Sequence, residues 1–227
     1  MAELLLGSVL RYIDVGANDG ITCSNCIRFA LQGAEGLSFE PDPANYRRLR
    51  ALMRFNRRVR CIGEGLSDRD GTLTLRSDGL LSSIESTDDP GLSALLEAYR
   101  LADAPEVSIR VSRLSTWLER SPDFVRSDLM SIDVEGHELC VLRGIDWHRT
   151  PKPARCLIIE THAYGDEKSW VHRDFDEISG LLQAHAYRRV CASSNNTFWL
   201  HAEDADHARL AAAHKQFPKY RWENTWT

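Results

Sequence analysis

The sequence lacks a long apolar run, and this absence excludes one class of protein. A helix that crosses a membrane needs roughly 18 or more consecutive apolar residues, and none of the 227 residues lie in such a stretch. The first residues (1–7) have no basic segment ahead of their short apolar run, so we expect no secretory signal peptide. We therefore expect a cytoplasmic protein without a membrane span.

An excess of positive charge is also missing. The sequence has 28 Lys and Arg against 33 Asp and Glu, which gives a net charge of −5. A protein that binds nucleic acid needs basic side chains to neutralise the phosphate backbone, so we expect no nucleic-acid partner. The exception is the arginine-rich stretch 47–60, which we interpret as the solvated face of a helix.

The sequence has only one close pair of cysteines. The six cysteines are Cys23, Cys26, Cys61, Cys140, Cys156 and Cys191. Most of them fall singly within apolar strand or helix patterns, so we predict buried, reduced thiols. A zinc site would need a second close pair beside Cys23-Ser-Asn-Cys26, so we predict no zinc. A redox role for that pair is left as an alternative.

The sequence contains no long linker rich in Pro, Gly or Ser and no abrupt change of composition. Its 43% of hydrophobic and 27% of charged residues are typical of a globular domain with a sizeable core. We therefore predict a single domain over residues 1–227. Within it we expect an insertion or lid on the substrate side at 77–105, and a C-terminal helix and aromatic tail at 204–227.

What the sequence does contain is a regular alternation of strand and helix patterns, which predicts a parallel α/β sheet. Strands are predicted at 11–15, 36–40, 59–64, 107–111, 129–134, 156–160, 187–191 and 197–200, with an extra antiparallel segment at 71–76. Helices are predicted at about 23–32, 43–56, 93–101, 115–120 and 175–184, and one more ends at 142.

The segment 11–20 joins an apolar strand to a turn that contains two glycines. Gly16 and Gly20 let the backbone turn sharply and approach a ligand, while Asp14 places a carboxylate at the carboxyl end of the strand. Glu40 ends the second predicted strand, in the place where nucleotide-binding folds usually hold a ribose diol. The spacing indicates one βαβ unit that binds a cofactor.

The glycine spacing separates two classes of cofactor. A dinucleotide site is expected to show Gly-x-Gly-x-x-Gly, whereas this sequence has Gly16-Ala-Asn-Asp-Gly20. A carboxylate two positions before the first glycine suits a ligand that has an ammonium group and no pyrophosphate. S-Adenosylmethionine fits that description, and a dehydrogenase is the less favoured alternative.

Four motifs follow one another along the chain. They are Asp14-Val-Gly-Ala-Asn-Asp-Gly20, Phe39-Glu-Pro-Asp-Pro43, Ile132-Asp-Val-Glu-Gly-His-Glu-Leu139 and Ile158-Ile-Glu-Thr-His162. On these motifs the sequence resembles the FkbM family of S-adenosylmethionine-dependent methyltransferases over about 12–200. Two departures are Ser131, at a position that is often lysine in the family, and the short segment ahead of the first strand.

The resemblance implies a class I methyltransferase fold. This is a Rossmann-like α/β arrangement with a mostly parallel, seven-stranded sheet and helices on both faces. The resemblance also implies transfer of a methyl group to a hydroxyl oxygen, often on a sugar or a natural product.

Acidic residues end four of the predicted strands, at the edge of the sheet where open α/β folds bind their ligands. Any one of these acids could instead cap the next helix, but four in this arrangement favour a functional site. The predicted cofactor-binding residues are Asp14, Gly16, Asn18, Gly20, Glu40, Leu66, Ser67 and Asp133. The predicted substrate-binding residues are Ser82, Ser83 and Glu160.

Methyl transfer to an alcohol needs a positioned acceptor, and a base that takes the hydroxyl proton accelerates it. Glu135, two residues after Asp133, and His162, two residues after Glu160, are the predicted bases. His137 is expected to face solvent in the first turn of a helix. A divalent cation bound by the predicted bases and the neighbouring acids is an alternative, and no metal ligand is predicted.

We therefore expect an S-adenosylmethionine-dependent O-methyltransferase that acts on a hydroxyl of a saccharide or secondary metabolite. The alternatives are a module that binds a nucleoside or S-adenosylmethionine without catalysis and, less favoured, a nucleotide-dependent oxidoreductase. The expected partner is a small-molecule or saccharide acceptor, and a homodimer is left open.

Overall fold

The structure is a computed structural model, and it describes residues 1–77, 82–84, 105–161, 174–193 and 195–223. For residues 77 and 82–84 it describes the backbone alone. Most of the insertion predicted at 77–105, the short helix predicted at 93–101 and the predicted base His162 lie outside these ranges. No helix of the described residues is both long and apolar enough to cross a membrane.

Seven α-helices and twelve strands make up the described part of the chain. The helices are α1 (Ala2–Leu6), α2 (Ile27–Leu31), α3 (Pro43–Met53), α4 (Leu114–Arg120), α5 (Glu138–Arg143), α6 (Phe175–Ala184) and α7 (His207–Gln216). The strands are β1 (Arg11–Val15), β2 (Glu35–Phe39), β3 (Val59–Ile62), β4 (Gly65–Leu66), β5 (Gly71–Ser77), β6 (Ser82–Ile84), β7 (Glu106–Ser112), β8 (Ser127–Ile132), β9 (Ala154–Glu160), β10 (Tyr187–Ala192), β11 (Asn196–His201) and β12 (Arg221–Trp222).

The main sheet has the strand order β12-β10-β11-β9-β8-β1-β2-β3. Neighbours from β9 to β3 are parallel, and the last hairpin, β10 with β11, is antiparallel. The predicted α/β class is therefore confirmed. The predicted count of seven strands is wrong, because the two-residue strand β12 adds an eighth by pairing with Cys191 and Ala192. A pairing this short leaves no periodic pattern in the sequence.

A second sheet, β4-β7-β5-β6, stands beside the first. The extra strand predicted at 71–76 is antiparallel, as expected, and its partner β7 belongs to this second sheet. Leu75, Ile109 and Val111 form its small core. The sequence pattern did not reveal that these strands separate from the main sheet.

Two hydrophobic cores cover opposite faces of the main sheet, because successive side chains of a strand point to opposite sides. In β1, Tyr12 packs with α1, α2, α3 and α7 on one face. Ile13 and Val15 pack with α4, α5 and α6 on the other face. Helices therefore cover both faces of the sheet, as predicted.

The first helix after the glycine turn begins later than predicted. Cys23 has a positive φ of 55°, which interrupts a helix. The Ser24 hydroxyl oxygen then accepts hydrogen bonds from the backbone N–H groups of Cys26 (3.2 Å) and Ile27 (3.0 Å), so α2 starts at Ile27 rather than near residue 23.

Candidate active site

A cavity of about 230 Å³ lies at the carboxyl ends of β1, β2 and β8. This is the edge of the sheet where the strand-end acids were expected to meet. The predicted site residues that line it are Asp14, Gly16, Asn18, Glu40, Leu66, Asp133 and Glu135.

Other predicted residues, Glu160 among them, lie outside the lining. Ser67 is buried and its hydroxyl is 2.9 Å from Nε2 of His137. Gly20 packs against α3, where an added Cβ would lie 2.8 Å from Leu49 Cδ1. Ser82 and Ser83 belong to β6, and their side chains are among those not described.

Several lining residues were not predicted from the sequence, among them Cys23, Ser24, Asn25, Pro41, Ser131 and Leu75. Residues 23–25 were missed because this loop was predicted to be a helix. Asn25 Nδ2 donates a hydrogen bond to Ser131 Oγ (3.1 Å), which joins the loop to β8. Leu75 comes from the second sheet, whose position the sequence did not reveal.

Gly16 allows the ends of β1 and β8 to approach each other closely. Its φ is 83°, and its N–H donates to the Phe39 carbonyl (3.0 Å). A Cβ at this position would lie 1.8 Å from the carbonyl oxygen of Asp133. Gly16 thus serves the packing of backbone against backbone below the cavity.

Glu40, at the end of β2, holds two loops through its carboxylate. Oε2 accepts from the backbone N–H of Asn18 (2.8 Å), and Oε1 accepts from that of Asp42 (2.7 Å). Burial raises the pKa of Glu40 to about 7, while these two N–H donors oppose the rise because they favour the charged form. Each oxygen retains a lone pair that can accept a ligand hydroxyl.

Asp14, at the end of β1, is 7% exposed and lines the same cavity. The Cys26 thiol donates a hydrogen bond to its carboxylate. Burial raises the pKa of Asp14 to about 7, the Cys26 bond opposes the rise, and the charge of Asp133 adds to it. A cationic group in the cavity would therefore be attracted to Asp14 and would lower its pKa.

Three carboxyl groups converge where β8 and β9 end. Oxygen atoms of Asp133, Glu135 and Glu160 lie within 4.8 Å of one another. Glu160 and Asp133 share a hydrogen bond, which requires that one of them carry a proton. Burial, followed by the charge of Asp133, raises the pKa of Glu160 well above its usual range, which favours the neutral form of Glu160 beside Asp133.

Glu135 reaches the cavity because the turn after β8 has an unusual backbone. Glu135 and Gly136 have φ values of 52° and 99°. The fully buried Glu138 stabilises this turn, since its Oε1 accepts from the backbone N–H groups of Val134 (3.0 Å) and Gly136 (3.2 Å). Burial, with the charge of Asp133 adding to it, raises the pKa of Glu135 to about 8.

The same three carboxyl groups are hard oxygen ligands of the kind that bind Mg²⁺ or Mn²⁺. A cation there would take the place of the proton that Glu160 donates to Asp133.

The expectation that His137 faces solvent is wrong, because this side chain is half-buried and hydrogen-bonded to Ser67.

Comparison with known proteins places the chain in a family. The family model described as the methyltransferase FkbM domain matches residues 14–189. A curated protein named Methyltransferase 1, from Beauveria bassiana (strain ARSEF 2860), is 30% identical over 148 residues, which cover 59% of this chain and 57% of that protein.

One solved structure of the family shares the fold. The crystal structure of methyltransferase FkbM from Methylobacillus flagellatus KT matches with a TM-score of 0.53 at 16% identity, over 85% of this chain and 43% of that one. A SAM dependent methyltransferase from Aquifex aeolicus gives a TM-score of 0.44 at 9% identity, over 88% of this chain and 86% of that one.

The chain thus covers less than two thirds of the length of the Beauveria and Methylobacillus proteins. The family match nevertheless extends from Asp14 in β1 to Arg189 in β10, and includes every strand-end acid at the cavity. The chain belongs to the FkbM methyltransferase family, and its mainly parallel sheet with helices on both faces is the class I methyltransferase fold.

Proposed function

We propose that this chain is an S-adenosylmethionine-dependent O-methyltransferase that acts on a hydroxyl of a saccharide or secondary metabolite. The observation that carries the proposal is the convergence of Asp14, Glu40, Asp133 and Glu135 on one cavity at the carboxyl edge of the sheet. Family membership supports methyl transfer as the activity. The hydroxyl acceptor follows from the resemblance stated for the sequence.

The chemistry of the cavity wall fits this cofactor. Glu40 is placed to accept hydrogen bonds from ribose hydroxyls, because both of its oxygens are held by backbone N–H groups. Asp14 and Asp133 supply negative charge for the ammonium and sulfonium groups, and Phe39 and Leu66 supply apolar surface. S-Adenosylmethionine, when bound, supplies an activated methyl group.

Glu135 is the residue best placed to take the acceptor proton among the described residues. It lines the cavity, and its pKa of about 8 is close to the neutral range in which a general base works best. His162, the other base predicted from the sequence, lies outside the described residues and stays a prediction. A divalent cation on the three carboxyl groups is the alternative way to activate the hydroxyl.

The first test is calorimetric binding of S-adenosylmethionine and S-adenosylhomocysteine to the purified chain. Asp14→Ala and Glu40→Ala should each weaken binding by about 10-fold to 150-fold, since each removes charge-assisted hydrogen bonds. Glu119→Ala removes an exposed carboxylate far from the cavity and is the control. Wild-type affinity in both folded cavity variants would refute the proposal.

The second test separates catalysis from binding alone. Release of S-adenosylhomocysteine is measured with a panel of saccharides and alcohols. Glu135→Gln should lower turnover by about 100-fold or more with little change in cofactor affinity if Glu135 is the base. A chain that binds the cofactor and methylates no acceptor in the panel is the outcome expected of a non-catalytic module. Loss of activity on chelation, with recovery on adding magnesium, would favour the metal alternative.

The remaining expectations stay predictions. They concern a substrate role for Ser82, Ser83 and Glu160, a cofactor role for Ser67 and Gly20, a cytoplasmic location and a homodimer. The substrate role of residues 77–105 is tested most directly by deleting 85–104 and measuring whether acceptor turnover falls while cofactor binding persists.

A further inference from the structure

Helix α3 and the turn that follows it concentrate positive charge in an otherwise acidic chain. Residues 43–63 contain no Asp or Glu, although the whole chain has a net charge of −5. The arginines of this segment are all exposed. They are Arg47, Arg48, Arg50, Arg54, Arg57, Arg58 and Arg60.

Large apolar side chains are exposed beside these arginines. Phe55 is 83% exposed, Leu31 is 80% exposed and Leu52 is 40% exposed. The Asn56 side chain donates a hydrogen bond to the Ala30 carbonyl (3.0 Å), which joins the end of α2, where Leu31 lies, to the end of α3. We call these three apolar residues and the six arginines from Arg47 to Arg58 the basic apolar surface. Arg60 is not part of it, because its guanidinium lies over the Phe124 ring on the opposite face of the main sheet.

Most of the arginine charge on this surface is not neutralised by the protein. Arg58 is 3.9 Å from a carboxylate oxygen of Glu35. Arg50 and Arg54 instead lie over the rings of Tyr46 and Phe55. Within the described parts of the chain, Arg47 and Arg57 form no ion pair. A merely solvated helix face would explain the charges, but it would not explain an exposed phenylalanine with a guanidinium 4.5 Å from its ring centre.

We propose that the basic apolar surface binds the chain peripherally to an anionic lipid bilayer. Apolar side chains at such a surface enter the boundary between headgroups and acyl chains, and the flanking arginines attract anionic headgroups. Charge complementarity alone would also suit nucleic acid. The aliphatic Leu31 and Leu52 favour lipid, because aliphatic side chains do not stack on bases as aromatic rings do.

The basic apolar surface lies close to the cavity, so lipid binding would bring the cavity near the bilayer. Asn45, on the buried face of the same helix α3, lines the cavity. Leu52 also packs near Gly20 of the glycine turn, where an added Cβ would lie 2.9 Å from Leu52 Cδ2. Lipid binding through α3 would hold the cavity within one helix diameter of the bilayer, about 10–12 Å.

The test is sedimentation of the full chain with vesicles. Wild type should sediment with vesicles of equal parts phosphatidylglycerol and phosphatidylcholine at low salt, and stay in solution with phosphatidylcholine alone. Added salt should weaken the binding, since exposed charges are screened.

The Arg50→Glu/Arg54→Glu variant should bind the anionic vesicles at least about 30-fold more weakly than wild type. Phe55→Ser should weaken binding by about 10-fold, because it removes an apolar ring that the lipid would bury.

The matched control is Lys215→Glu/Lys219→Glu, the same change of charge at exposed positions at and after the end of α7. It should bind the anionic vesicles as wild type does. The proposal fails if wild type does not sediment, or if the control loses as much binding as the arginine variant. It also fails if Phe55→Ser binds as tightly as wild type while duplex DNA displaces both from the vesicles, which would identify a nucleic-acid surface.

Discussion

Glu40 and Glu160 occupy equivalent places in this fold but have different surroundings. Glu40 directly follows β2 and Glu160 ends β9, and the two residues are 4% and 8% exposed. Backbone N–H groups hold both oxygens of Glu40, and its pKa is about 7. Glu160 instead faces Asp133 and Glu135, and its pKa is about 11.

The difference shows that the neighbours of a buried carboxyl group decide what it can do. N–H donors favour the charged form and like charges disfavour it. Glu40 therefore remains able to accept hydrogen bonds as a carboxylate. Glu160 keeps its proton and can donate it in a hydrogen bond. We expect the Glu40 side of the cavity to bind cofactor hydroxyls. Glu160 lies outside the lining, and we expect it to order Asp133 and Glu135, which form the other side of the cavity.

The largest effect is expected where the two sides of the cavity meet. Gly16→Ala should destabilise the chain by about 4 kcal/mol or more, because the new Cβ would collide with backbone and the φ of 83° is unfavourable for alanine. Denaturant unfolding would measure this, with the fraction of folded protein checked by circular dichroism.

Gly33→Ala is the matched control for that experiment. Gly33 has a similar φ of 89°, and no atom lies within 4 Å of the added Cβ. The Gly33→Ala variant should be less stable than wild type by only about 1–2 kcal/mol, which is the cost of placing alanine at this φ. If the two variants are equally stable, the close approach of β1 and β8 is not what requires glycine at position 16.

Glu40 and Glu160 should differ most clearly in their effect on cofactor affinity. Glu40→Gln removes the charge that the two N–H donors stabilise, so affinity for S-adenosylmethionine should fall about 10-fold or more. Glu160→Gln replaces a carboxyl group that is already neutral, so affinity should change by less than about threefold. Calorimetry at neutral pH measures both. A larger loss in Glu160→Gln than in Glu40→Gln would reverse the assignment of the two sides.

A smaller effect is expected in the pH dependence of stability. The pKa of Glu135 rises from 4.5 to about 8 on folding, so folding favours its protonated form. Its contribution to stability is present in full below pH 4.5 and is lost as the pH rises through about 8.

In Glu135→Gln this titration is absent. We therefore compare the free energy of unfolding of the variant with that of wild type at acid pH and at pH 8. On going from acid pH to pH 8, this difference should shift in favour of the variant by more than about 1 kcal/mol. Unfolding midpoints at several pH values measure it. A parallel pH dependence in the two proteins would show that Glu135 titrates alike in the folded and unfolded chains.

The sequence predicted the main sheet well because its strands carry strong local patterns. The acids at the ends of β1, β2, β8 and β9 were located from the motifs, since parallel strands bring their carboxyl ends to one edge. Two features could not be predicted. The loop 21–26 depends on a positive φ at Cys23, and Leu75 reaches the cavity through a separate sheet. Both depend on long-range packing.

The pairing of Glu160 with Asp133 was equally hidden in the sequence. The motifs identify both acids but do not reveal which one carries a proton. That depends on their separation and burial, which the fold sets. The metal alternative arose from the same ambiguity, because a cation and a proton compete for the same oxygens.

The smallest effect concerns the charge that distinguishes the cofactor from its product. S-Adenosylmethionine carries a sulfonium cation and S-adenosylhomocysteine a neutral thioether, while both carry the ammonium group. The pKa of Asp14, which is predicted to bind the cofactor, is raised to about 7, so this carboxyl group loses its proton as the pH rises through this range. Preference for S-adenosylmethionine over S-adenosylhomocysteine should therefore increase, by about threefold to tenfold, between about pH 6 and about pH 8. Calorimetry in two buffers of different ionisation enthalpy would also detect more protons released by S-adenosylmethionine. A preference that stays constant across this range, with equal proton release, would place the sulfonium away from the Asp14 carboxyl group.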